Sequence, residues 1–95
     1  MNRFRVYVRV PWWRLRKVRG EDVLDVLEKA LNMLNVEYEI WCGRRRKSFI
    51  VDVETDMNPP TFKSRLRQCI KLAALMLKKP NTATLQISIY FPKGD

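Results

Sequence analysis

The chain has no histidine, two cysteines and three glycines in 95 residues. With no histidine, no glycine-rich phosphate loop, and no serine or cysteine beside an obvious base, no residue set proposes catalysis, and a non-enzymatic protein without a cofactor is expected. Two thiols cannot complete a tetrahedral zinc site unless carboxylates or a second chain assist. Cys42 and Cys69 each fall on the apolar side of their segments, so both are expected buried and reduced. No apolar run approaches the roughly 18 residues of a membrane span, and the amino terminus, charged by its fifth residue, lacks a secretory segment. These features lead to the expectation of a cytoplasmic protein with no membrane partner.

Acidic residues are also few. Ten Asp plus Glu stand against nineteen Lys plus Arg, a net charge of +9. On so small a body this favours partners bearing phosphate, nucleic acid first. The densest cationic run is Gly43-Arg44-Arg45-Arg46-Lys47, between the apolar stretches Tyr38–Cys42 and Ser48–Val53. A glycine and four cations between β-branched and aromatic residues read as the tip of a β-hairpin. A solubilising turn would explain that cluster equally well if it stood alone.

Along the chain, Phe4, Val6, Val8 and Val10 alternate with Arg3, Arg5, Tyr7 and Arg9, which predicts a half-buried strand with a basic outer face, ended by Pro11. A loop, Trp12 to Gly20, carries Arg14, Arg16, Lys17 and Arg19; its tryptophans are expected to seal the edge of the core. From Glu21 to Asn35, Val23, Leu24, Val26, Leu27, Ala30, Leu31 and Leu34 recur at helical spacing, with Glu21, Asp22 and Asp25 near the positive end of the helix dipole. Strands follow over Tyr38–Cys42 and Ser48–Val53. Asn58-Pro59 reads as a cap and first helical residue. Phe62, Leu66, Cys69, Ile70, Ala73 and Leu77 then form a buried stripe, and Pro80-Asn81 stops the helix. Leu85, Ile87, Ile89 and Phe91 alternate in a last strand.

The order strand, helix, strand, strand, helix, strand in a single domain, residues 1–95, predicts an α+β fold of ferredoxin-like type. Two right-handed crossovers give a four-stranded antiparallel sheet, order 4-1-3-2, with both helices on one face. That topology sends the first loop, the hairpin and the end of the second helix to the same end. Arg14, Arg16, Lys17, Arg19, Arg44, Arg45, Arg46, Lys47, Lys78 and Lys79 are then expected to converge, an electrostatic footprint for phosphates. Tyr7 and Trp41, on the open sheet face near that end beside Arg9, would stack or anchor bases, with Trp13 of the first loop as a further candidate. Asp52 and Glu54 share a strand face and, with Asp56, could hold a divalent metal in a nuclease; pairing with nearby arginines is the preferred reading, and no metal site is expected.

Two stretches resemble known families. Val6-Tyr7-Val8-Arg9-Val10-Pro11 resembles the first-strand motif of RNA-recognition-motif domains, with Tyr7 in the stacking position and Ser48 and Ile50 where that family has two aromatic platforms. Phe49-Ile50-Val51-Asp52-Val53-Glu54-Thr55-Asp56, then Phe62-Lys63-Ser64, Leu66, Ile70 and Lys71, is similar to the small dimerising subunit of the KEOPS tRNA-modifying complex. Lys63 and Ser64 stand for that family's arginine and glycine, Arg67-Gln68 replace its asparagine-serine pair, and the strand from Leu85 is additional. This resemblance implies a non-catalytic, dimer-forming subunit whose helices contact a larger enzyme while a basic surface meets tRNA. The expected partners are therefore nucleic acid, RNA before DNA, together with a larger subunit or a second copy. The competing expectation is a protein-interaction scaffold with incidental charge, or a DNA-binding protein.

Overall fold

Alternation along the first strand sets the layers. The computed structural model describes residues 1–45 and 47–90. Strand β1 (Asn2–Arg9) buries Phe4, Val6 and Val8 and exposes Arg3, Arg5, Tyr7 and Arg9. A single 3₁₀ turn, Trp12–Arg14, follows, and helix α1 covers Gly20–Leu34, ending where Asn35 adopts a left-handed φ of 55°. Strands β2 (Glu37–Cys42) and β3 (Ser48–Thr55) form the hairpin. Helix α2 (Pro59–Met76) opens on Asn58, whose side chain accepts from the Thr61 N–H at 2.9 Å. The proline at the first position loses no hydrogen bond there. A turn at Pro80–Thr82 leads to β4 (Gln86–Tyr90); Phe91 lies outside the described residues.

Every pair of neighbouring strands is antiparallel, in the order β2-β3-β1-β4, which is 4-1-3-2 counted from the other edge. One hydrophobic cluster joins the buried side of the sheet to both helices, through Val23, Leu27 and Leu31 of α1 and Phe62, Leu66 and Ile70 of α2. Both helices therefore cover the same face. Phe4 and Phe62 meet edge to face, ring centroids 5.1 Å apart, which fixes α2 on β1. Each fully buried leucine or phenylalanine contributes about 1.5–3 kcal/mol through loss of apolar surface to water. No described helix is long and apolar enough to cross a membrane.

Two burial expectations are corrected at the margins of this core. Cys42 is exposed and Cys69 only half-buried, both as free thiols. Cys42 ends the edge strand β2, which is only half-buried even at Tyr38 and Ile40. Trp12 and Trp13 are likewise exposed and seal nothing. Val10, Pro11 and Val18, which flank them, are buried and close that edge instead.

Candidate nucleic-acid interface

The hairpin tip is built on a tight return. The Gly43 N–H donates to the Ser48 carbonyl at 2.9 Å, and the Ser48 hydroxyl donates to the Arg45 carbonyl at 2.6 Å. A Cβ at position 43 would collide with the Ser48 hydroxyl and lie 3.1 Å from Ser48 Cβ, so the return requires glycine. Lys47, just before β3, sits at φ 58°, a left-handed conformation. Its Nζ donates to the Leu15 carbonyl, tying the hairpin to the first loop. Arg44 and Arg45 remain exposed, and Arg46 lies outside the described residues.

The first loop is tied in turn to the segment after α2. The Arg14 N–H donates to the Pro11 carbonyl at 2.9 Å, and the half-buried Arg14 guanidinium donates through Nη1 to Asn81 Oδ1 at 3.0 Å. Arg14 Nε is buried with no partner among the described residues. One turn away, Lys79 Nζ lies 3.1 Å from Asp22 Oδ1 in the first turn of α1. The hairpin, the first loop and the segment after α2 thus meet at one end of the sheet through direct contacts.

Those contacts also divide the cations. Arg14, Lys47 and Lys79 hold the segments together, while Arg19 pairs with Glu21 at 3.0 Å and Arg9 Nε donates to Gln86 Oε1 at 2.8 Å. Arg16, Lys17, Arg44, Arg45 and Lys78 are exposed and make no side-chain hydrogen bond or ion pair among the described residues. A phosphate approaching this rim meets those five first. Lys78, at φ 58°, stands where α2 has already ended.

The open sheet face continues from the rim. In register, Trp41 pairs with Ile50, Ile50 with Tyr7 and Tyr7 with Ser88, which makes one row across all four strands. Adjacent strands lie about 4.8 Å apart, so Trp41 and Tyr7 stand nearly 10 Å from one another, with Ile50 between. Tyr90 meets Tyr7 edge to face, centroids 5.0 Å apart. A groove of about 670 Å³ runs beside this row and is walled by Tyr7, Tyr90 and Ile50 together with Arg9, Arg44 and Arg45. Tyr90 is not among the residues expected at the site from the sequence; the β1–β4 register, which sets it opposite Arg5 and diagonal to Tyr7, brings it there.

Away from the rim the face changes sign. Arg5 donates to Asp52 through Nε (2.8 Å) and Nη2 (3.3 Å), and Arg3 lies 3.6 Å from Glu54. The hydrogen bond from Arg5, aided by its charge, holds the Asp52 carboxyl below the usual carboxylate range against a smaller opposing effect of burial. Of the three carboxylates named for a metal, Asp52 and Glu54 pair with arginines, and the described residues contain no cluster of three or more His, Cys, Asp or Glu suited to one. No protein-family model matches this chain, and neither a curated protein nor a solved structure matches it.

Proposed function

We propose that the chain is a non-catalytic nucleic-acid-binding module, engaging structured RNA such as tRNA as an accessory subunit of a cytoplasmic tRNA-modifying complex. The observation that carries this reading is the direct contact between three basic segments distant in sequence, which leaves Arg16, Lys17, Arg44, Arg45 and Lys78 exposed around one rim. Solubility alone calls for dispersed charge; clustering costs repulsion that a polyphosphate offsets. The aromatic row next to the rim favours RNA over duplex DNA, because unpaired bases in RNA loops stack on rings that a continuous duplex never reaches.

Helix α2 supports the subunit part of the reading. Leu72, Leu75 and Met76 stand exposed at i, i+3 and i+4 and present an apolar stripe to solvent. That stripe would receive the larger protein or a second copy while the rim holds RNA. The test is titration of tRNA against the native chain and the Arg44→Ser/Arg45→Ser variant. Loss of about tenfold or more, with an unaltered circular dichroism spectrum, supports the assignment; equal affinities would reject the rim as the binding surface.

A further inference from the structure

Trp12 and Trp13 are the most exposed aromatic pair among the described residues, at 79% and 56%, and the rim does not explain them. Phosphate contacts need cations, not indoles. The pair is held in one geometry: ring centroids 5.8 Å apart and planes at 89°. The loop beneath is pinned by Arg14 to Asn81, by the Arg14 N–H to Pro11 and by Lys47 to the Leu15 carbonyl. Perpendicular indoles make a corner: a flat ring laid on one face presents its edge to the other indole, which satisfies both favoured aromatic geometries at once.

What surrounds the corner selects the guest. Arg16 and Lys17 follow it directly, and the hairpin with Arg44 and Arg45 is joined to it through Lys47. An apolar protein segment docked on the indoles would have to desolvate those charges without partners, a cost on the order of several kcal/mol per fully buried ion even after relaxation. A nucleic-acid strand offers both requirements at every nucleotide, a planar ring and a phosphate. Within a duplex the rings are stacked away from reach; in a single strand, bulge or overhang they are free.

We propose that Trp12 and Trp13 form a stacking site for an unpaired base, so that the rim distinguishes single-stranded or bulged RNA from continuous duplex. This rests on the phosphate-binding reading of the rim and adds a selectivity that charge alone cannot give, since duplex carries the denser charge. The experiment compares a fluorescently labelled 12-nucleotide RNA single strand with the same strand in a blunt duplex, for the native chain, Trp12→Ala/Trp13→Ala and Arg44→Ser/Arg45→Ser. Both indoles are exposed, so their removal leaves the core intact. Removing the pair is expected to weaken single-strand binding about 5- to 150-fold while duplex binding changes less than twofold. Indole N–H resonances of Trp12 and Trp13, assigned from single variants, should shift with single strand and stay in place with duplex.

An unchanged ratio of single-strand to duplex affinity, or equal losses on both, overturns the stacking site. That failure is distinct from failure of the rim, which would appear as native affinity in Arg44→Ser/Arg45→Ser. Vesicles containing phosphatidylserine form a third arm: if they shift the two indole resonances and RNA does not, the corner is a lipid contact and the proposal falls.

Discussion

The five exposed rim cations Arg16, Lys17, Arg44, Arg45 and Lys78 set a number that a binding experiment can check. Each phosphate neutralised releases counterions, so log K falls with log salt at about 0.7 per contact on single strands and about 0.9 on duplex DNA. Five contacts give slopes of about −3.5 and −4.5. Between 50 and 200 mM salt, affinity should therefore drop about 130-fold for a single strand and about 500-fold for duplex DNA. Arg44→Ser/Arg45→Ser removes two contacts, which reduces the slope by about 1.4 to 1.8 whatever other cations contribute. Fluorescence anisotropy titrations at four salt concentrations measure both slopes. A wild-type slope near zero, or one that Arg44→Ser/Arg45→Ser leaves unchanged, would refute the argument from the rim.

Four further outcomes probe the scaffold. Asn58→Ala removes the acceptor for the Thr61 N–H and should cost about 1 kcal/mol, a fall in Tm of about 4–8 °C by calorimetry. Gly43→Ala forces a Cβ against Ser48 and should lower Tm while the helical circular dichroism signal below the transition is kept. Asp52 has its folded pKa depressed by Arg5, so its contribution is complete above the unfolded value of about 3.9 and is lost as pH falls through the lower folded value; Asp52→Asn should flatten that acid limb in thermal melts, modestly because the pair is well solvated. Iodoacetamide should alkylate exposed Cys42 well before Cys69, whose thiol is half-buried and pushed up by burial, with Arg65 opposing; mass spectrometry of timed samples reads the order.

The parts of this molecule that could be read from the chain are those that depend on neighbours in sequence. Phe4, Val6 and Val8 against Arg5, Tyr7 and Arg9 reveal a strand because its faces alternate, and Asn58-Pro59 reveals a helix start because cap and first residue are adjacent. The strand order follows from the order of elements and the handedness of crossovers. The rim was legible only as a meeting of segments. Which cations face solvent and which act as ties was not, because Arg14 with Asn81 and Lys79 with Asp22 are pairings across the fold. Exposure at the margins was also hidden: Trp12, Trp13 and Cys42 are apolar by type but stand in a connecting turn and at the end of an edge strand.

The β1–β3 register has a practical corollary. Asn2 pairs with Thr55 at one end of the sheet, whereas Arg9 pairs with Ser48 at the other, beside the hairpin. An eight-residue strand at about 3.4 Å per residue separates the first residues from the cationic edge by about 25 Å. A biotin or fluorophore attached at Met1, which is exposed, therefore tethers the protein to a sensor chip with its charged edge pointing away from the support. Surface-based kinetics can then be recorded without the tether competing for the ligand.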